Sequence, residues 1–476
     1  MPSSSNGLRP NHLLFILLLV VITRLPFIWN GYGSDADAWR VADTTKRLWS
    51  EGEYTPSRLP GYPLHEFISA PFVALGGAPL SNASTIAATL LLVVVWSRFV
   101  AGTARFPMFA VLALAFAPLL WKSSVMTMDY VWSLLCIVLA LHNAHKGKAI
   151  LAGLFLGLAT GFRPTNIVAV VPIVVMLYST TRSARSVALM IAVAGMTCVA
   201  TFLPLLTKYG LSDWIAETRF QMGDIQLAFT ERVLLFGYRG VYAFGPLAAI
   251  ATGFIVFRKR KTLCFMLQRS APLLLVACTG LGTYAALFLA FPLEREYLLP
   301  ALPFLILLID TLASRNQFIL FLACLFGFAF INPDVVRHHG RRGTLGFNLH
   351  SGMVFDYTDK LNLVHLHRKA IGEFHLEGKS VVMTGSGPIL WLENDALEED
   401  TVGLLRSTTE RVYRQKTDPE VRFIDALPLD EVKRLQRDAY TIYCVESMVE
   451  YLESFLGYDM RNNDVVILAM PELRLQ

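Results

Sequence analysis

Between two strongly hydrophobic stretches the chain carries Gly33-Ser34-Asp35-Ala36-Asp37-Ala38-Trp39-Arg40, followed soon by Ser57-Arg58-Leu59-Pro60-Gly61-Tyr62-Pro63. Two carboxylates and then an arginine, placed where membrane meets water, suit chemistry on an anionic lipid head group. Asp35 or Asp37 could remove a proton, and Arg58 could hold a phosphate through charged, paired N–H donors. Helix capping accounts for the same acids. Ser34 and Asp37 have capping-box spacing, and Asp35 would fall at the first turn, where the helix dipole favours negative charge. The two roles are compatible, because a cap fixes a carboxylate in place.

The element that must position these acids is a helix over 36–51. Ala38, Val41, Ala42, Thr45, Leu48 and Trp49 fall on one face, with Arg40, Asp43, Lys46, Arg47 and Glu51 on the other. That pattern suits a helix lying flat in the interface with its apolar face in lipid.

Over 476 residues the chain is 54% hydrophobic and 17% charged, with a mean hydropathy of +0.48. Such values indicate a multi-span membrane protein with a smaller soluble part. The net charge of +5 is modest, and the basic residues cluster in short loops, which argues against nucleic acid as a partner. Of the cysteines, Cys136, Cys198, Cys264, Cys278 and Cys324 lie in apolar segments and only Cys444 falls in the polar tail. That leaves neither a disulfide framework nor a zinc pattern. Arg24 and Pro26 follow the first apolar run without a small-residue cleavage site, so the run reads as a retained first span.

Hydropathy places spans near 12–29, 83–100, 106–121, 130–143, 149–162, 165–180, 186–206, 241–257, 271–291, 297–313 and 318–333, about eleven in all. The segment 62–78 is apolar but interrupted by Pro63, Pro71, Gly76 and Gly77. Charge bias decides its course. With a cytoplasmic N-terminus and 62–78 not crossing, Arg98 and Arg105, Lys146 and Lys148, Arg182 and Arg185, the run Arg258-Lys259-Arg260-Lys261 and Arg315 all fall inside. Asp35, Lys122 to Asp129, Arg163, the loop 207–240, Glu294-Arg295-Glu296 and the whole tail then share the external face. Charges at the membrane edge are candidates for function.

From about 334 to 476 the composition turns polar. Short strands are expected at 381–383, 421–424, 441–445 and 465–468, with helices at 429–437 and 446–456, which makes a small C-terminal α/β domain after a membrane module of 1–333. Gly385-Ser386-Gly387 runs into Pro388 and lacks a third glycine, so it reads as a turn and not a nucleotide site. His338-His339 lacks further ligands at metal spacing.

An acidic pair just after the first span, an amphipathic helix, the Arg58-Leu59-Pro60-Gly61 stretch and the late Arg295-Glu296-Tyr297-Leu298-Leu299-Pro300 run together resemble the GT-C membrane glycosyltransferases. That group includes the protein O-mannosyltransferases and the lipid A aminoarabinose transferases. Gly157-Leu158-Ala159 with Arg163-Pro164-Thr165 resembles a further recurring GT-C segment. The likeness covers about residues 12–333.

The resemblance implies hexosyl or pentosyl transfer from a polyprenyl-phosphate or -diphosphate donor to a protein, lipid or glycan acceptor. It implies a multi-pass protein with the active site and C-terminal domain extracytoplasmic. The spacing from Asp35 to Trp39 matches the family aspartate that acts on the acceptor. Where relatives often have Glu after that aspartate this chain has Ala36, and the second acid is Asp37.

Glycosyl transfer needs a base on the acceptor hydroxyl and stabilisation of the departing phosphate. Asp35 offers the base, and Arg58, Arg163 and Arg295 offer phosphate partners. Each arginine could equally snorkel to the interface or pair with Glu294 or Glu296. Asp129, Glu66, Glu296 and Tyr297 would support the site, and Lys122 reads as an interfacial anchor. Asp35, Asp37 and Asp129 could hold a hard divalent cation, Mg or Mn, with the lipid phosphate; metal-independent relatives make the opposite equally open.

Two other classes compete. A transporter of a lipid-linked substrate should show two related halves with matching broken helices, and no such repeat is visible. A polysaccharide polymerase or ligase should concentrate polar residues late in the membrane part, as Arg219, Asp224, Glu231 and Arg232 do in the loop 207–240. The early acidic pair favours the GT-C reading.

Overall fold

Proline opens six of the apolar helices. Pro10, Pro63, Pro107, Pro118, Pro246 and Pro272 each stand at the first position of a helix, where a missing N–H costs no hydrogen bond and φ is already helical. The computed structural model describes residues 9–52, 54–223, 228–269, 271–336, 344–348, 352–373, 376, 378–385, 392, 394–400 and 412–468. His338-His339, Ser386-Gly387 and Asp224 lie outside these.

Among the described residues, Pro10–Phe27, Pro63–Ala101, Pro164–Thr181, Ala184–Ala216 and Pro272–Ala290 are long and apolar enough to cross a membrane. Phe229–Phe244 and Pro246–Arg258, bent by 97° at Gly245, would make a sixth span if counted as one. The protein is thus an integral membrane protein by length and composition, with fewer full-length spans than the eleven segments expected. The difference has a physical cause. Tyr130–His145, Ala149–Phe162 and Arg315–Gly327 are apolar but short; at about 1.5 Å a residue they reach roughly 20–24 Å, against the roughly 30 Å of a hydrocarbon core. The segment expected at 106–121 is split into Pro107–Ala115 and Pro118–Ser123.

The segments 62–78 and 83–100 belong to one helical run, Pro63–Ala101, broken at Gly76 and Gly77. Gly77 has φ 56° and ψ −148°, a conformation only glycine adopts without strain. The part beyond the break, 78–101, is about 36 Å long and could cross by itself.

The helix over 36–51 forms as Ala36–Glu51, but its apolar face does not lie in lipid. Ala38, Val41, Ala42 and Thr45 are fully buried within the protein, and only Trp49 at the far end is exposed. An amphipathic period specifies an apolar stripe without saying whether protein or lipid will cover it. The Arg368 guanidinium sits 4.6 Å from the Trp39 ring.

The chain divides into two compact units, 1–33 with 44–357, and 34–43 with 358–476. The division falls after Tyr357 instead of at 333/334. In the first unit, β1 (Asn332–Val336) and β2 (Thr344–Asn348) form an antiparallel pair.

The second unit is built on a six-stranded sheet of β3 (Ser380–Met383), β4 (Leu397–Glu399), β5 (Tyr413–Gln415), β6 (Val421–Ile424), β7 (Thr441–Val445) and β8 (Val466–Leu468), in the order β4-β5-β6-β3-β7-β8. β6, β3, β7 and β8 run parallel, and β4 and β5 add an antiparallel edge. β3, β6, β7 and β8 fall where short strands were expected from the sequence, whereas β4 and β5 were not expected. Val381, Met383, Ile424, Ile442 and Cys444 face one side of the sheet, with Val432 and Leu435 of helix Leu429–Arg437 and Leu452 of helix Val449–Leu456. Val382, Val421, Phe423 and Val445 face the other, so both faces of the central strands are covered, as parallel strands require. Gly385, just past β3, has φ 58°. All six cysteines are free thiols.

Candidate functional site

Asp129 is the residue before helix Tyr130–His145, yet its carboxylate caps nothing. It receives Arg163 Nη1 at 2.8 Å and Arg58 Nη2 at 3.4 Å, one guanidinium on each oxygen. Asp129 is fully buried and Arg163 is 2% exposed. Burial alone would raise the Asp129 carboxyl, but Arg163 and then Arg58 outweigh it and hold the group below its ordinary range.

Arg163 occupies a joint. Helix Ala149–Phe162 ends there and the 3₁₀ turn Pro164–Ala169 begins, with Arg163 extended at φ −150° and ψ 110°, as a residue before proline prefers. Its guanidinium lies 4.1 Å from the Tyr130 ring, 4.6 Å from Tyr297 and 5.6 Å from Tyr62. The Arg58 guanidinium also lies over the Tyr62 ring, 4.1 Å from its centre. Tyr130 donates a very short hydrogen bond to Glu294, which also stands 3.9 Å from Arg163 Nη2. Two arginines, two carboxylates and three tyrosine faces thus come together from four separate parts of the chain. Among the described residues, Arg163 Nε is buried without a hydrogen-bond partner, and so is Nδ1 of the neighbouring His65.

The other expected residues take different places. Glu66 does not face water: it is fully buried and accepts from Tyr54 O–H at 2.5 Å, Ser57 N–H at 2.8 Å and Ser57 O–H at 2.5 Å. Lys122 is no interfacial anchor. It is 5% exposed and donates to Glu296 Oε1 at 2.7 Å. Burial opposes the charge on Glu296, but Lys122 pulls its carboxyl down to about 2. Arg295 stands apart from the cluster and pairs with Asp356 at 2.9 Å. The 3₁₀ turn Arg295–Ala301 therefore presents Arg295, Glu296 and Tyr297 to three different partners.

Asp35 and Asp37 belong to the other compact unit. Asp35 is itself the capping residue: its Oδ1 accepts the Asp37 N–H at 3.0 Å, a role that the sequence spacing gives to Ser34. Asp37 pairs with Arg40 at 3.3 Å. The loop leading into Asp35 is fixed. Asn82 Nδ2 donates to Ile28 O at 3.2 Å and Gly31 O at 2.8 Å, and Thr127 N–H donates to Tyr32 O at 2.8 Å. Gly33, with φ 145°, passes so close to Met126 that a Cβ would come within 2.8 Å of its Cγ.

Among the described residues no group of three His, Cys, Asp or Glu side chains could hold a metal ion. Asp129 does not fit as a ligand, since each of its oxygens already faces a guanidinium.

Comparison with known proteins gives little. No protein-family profile and no curated protein matches the chain. Among solved structures, ArnT from Cupriavidus metallidurans bound to undecaprenyl phosphate is similar at 15% identity and a TM-score of 0.48, over 65% of this chain and 62% of that one. The apo state of the same protein gives 14% and 0.42, over 64% and 60%. The chain thus spans less than two thirds of that protein's length.

Proposed function

We propose that the chain is a GT-C-type membrane glycosyltransferase that moves a sugar from a polyprenyl-phosphate-linked donor to an acceptor on the extracytoplasmic side. The observation that carries this reading is the buried Arg58–Asp129–Arg163 cluster with its tyrosine faces. Arginine forks held in a low-dielectric setting suit a phosphate ester better than a mobile surface cation would. Asp35, two residues beyond the anchored Gly33, is the acceptor-activating base. The acceptor hydroxyl gives its proton to Asp35 while its oxygen bonds to the anomeric carbon. The bond from that carbon to the phosphate oxygen breaks, and the electron pair leaves with the lipid phosphate. Arg58, the more accessible of the two arginines, neutralises that charge, and Arg163 is held ready beside it by Asp129. Asp37 assists by fixing Arg40 and the first helical turn. No step is routed through a metal ion. The positive loops at 258–261 and elsewhere support a cytoplasmic side opposite to Asp35 and the C-terminal unit.

The test is Asp35→Asn, which keeps a capping oxygen for Asp37 N–H and removes the base. Loss of a general base costs about a hundredfold to ten-thousandfold in rate, whereas loss of a cap costs about 1 kcal/mol of stability. A folded Asp35→Asn protein that transfers sugar at a near-normal rate would reduce the residue to a cap. Loss of transfer with intact folding and donor binding is the expected result.

A further inference from the structure

The loop 54–61 carries Arg58 and has no helix or strand of its own, yet it is held from two sides. Beneath it, Glu66 gathers Tyr54 and Ser57 through three hydrogen bonds. Beside it runs helix Ala184–Gly223, broken at Gly210 with φ 71° and ψ 164°. Before the break, Lys208 Nζ donates to Tyr54 O and to Thr55 Oγ1, both at 2.8 Å. After the break, Trp214 Nε1 donates to Pro60 O at 2.8 Å. The two donors therefore grip main-chain carbonyls on either side of Arg58. Tyr54 is buried with Phe202 and Leu205 of the same helix, and Gly61, at φ 93°, lies where a Cβ would come 2.4 Å from Leu205 Cδ1.

That helix also sets the second arginine. Gly153, Gly157 and Gly161 of helix Ala149–Phe162 lie against Met190 O, Ala194 O and Thr201, and a Cβ at Gly161 would come 2.5 Å from Thr201 Oγ1. The close seam brings the helix end, and with it Arg163, to a fixed distance from helix Ala184–Gly223. One helix thus gauges Arg163 through a glycine seam and Arg58 through a clamp, and the two guanidiniums meet at Asp129.

We propose that Lys208 and Trp214 are positioning residues, which act through the 54–61 loop to hold Arg58 on Asp129 beside Arg163. The proposal rests on reading Arg58 as a phosphate partner. Its physical basis is that an irregular loop keeps one conformation only if its backbone groups are tied down, and a fork placed loosely binds a phosphate poorly.

The experiment uses the full-length protein in lipid nanodiscs with undecaprenyl phosphate as the probe. Lys208→Met removes one grip, and Trp214→Phe removes the other while keeping a ring in place. Each should raise amide hydrogen exchange at Thr55, Ser57, Arg58, Leu59 and Gly61 and weaken undecaprenyl phosphate binding about tenfold, with the thermal midpoint little changed. Arg58→Met should weaken binding at least as much, and adding Lys208→Met to it should cost nothing further, because no guanidinium remains to be placed. Unchanged exchange at these amides in both single variants overturns the proposal. So does a Lys208→Met loss that adds in full to Arg58→Met, since Lys208 would then act without Arg58. Raised exchange with binding indifferent to Arg58→Met would leave the clamp standing and overturn the phosphate reading of Arg58.

Discussion

Arg163 and Arg295 are of one type and both sit at the edge of an apolar segment, yet the protein treats them differently. Arg163 is sealed among Asp129, Glu294 and three tyrosine rings, with a side chain 3% exposed. Arg295 makes one pair with Asp356, and the two side chains are 22% and 33% exposed. A guanidinium in water needs no protein partner, whereas a buried one must have its charge balanced by the chain itself. The first arrangement fixes the junction of two helices as a condition of folding. The second is one that water can replace.

The comparison breaks or sharpens under substitution. The largest effect is expected from Arg163→Gln, which leaves Asp129 buried with Arg58 alone. Removing one partner of a buried pair costs about 3–5 kcal/mol, to be read from denaturant or thermal unfolding in detergent. A cost under about 1 kcal/mol would put Arg163 in the same class as Arg295.

Next is the Lys122–Glu296 pair, equally buried but simpler. Lys122→Met should cost nearly as much, and Lys122→Met with Glu296→Leu should recover most of the loss, because no charge is then stranded. Acid sharpens this case. Lys122 lowers Glu296 in the folded protein from the ordinary 4.5 to about 2. The contribution is therefore full above 4.5 and fades as pH falls toward 2. The stability gap between the natural protein and Lys122→Met should shrink over that interval; a gap that is constant from pH 5 to pH 3 would show that the pair contributes through packing alone. The smallest effect is expected from Arg295→Gln, within about 1 kcal/mol, by the same unfolding measurement.

Local periodicity made much of this fold legible. The helix over 36–51, the strands at 381–383, 421–424 and 441–445, and the helix at 429–437 follow from spacing of 3.6 or 2, and each forms within a residue or so of its expected place. What periodicity could not supply was the identity of partners. Arg163 meets Asp129 across 34 residues, and Lys122 meets Glu296 across 174, distances over which a sequence pattern says nothing about contact. A signal for the second pair was present: a lysine and a glutamate each set in an apolar run call for opposite charge nearby. The capping residue was displaced by one position, from Ser34 to Asp35, because both types suit the place and only backbone geometry chooses. Hydropathy marks more apolar segments than there are full-length apolar helices among the described residues, because several of those segments form helices that are short or split by a proline.

The grip on the 54–61 loop falls mainly on carbonyl oxygens, those of Tyr54 and Pro60, and every amino acid has one. The hold therefore depends on the donors, Lys208 and Trp214, and on the close-packed Gly61. A foreign loop of equal length could be grafted between Tyr54 and Gly61, with Arg58 and Ser57 retained, and still present its guanidinium to Asp129. That makes this short stretch the natural place to vary sequence around a guanidinium whose position stays fixed.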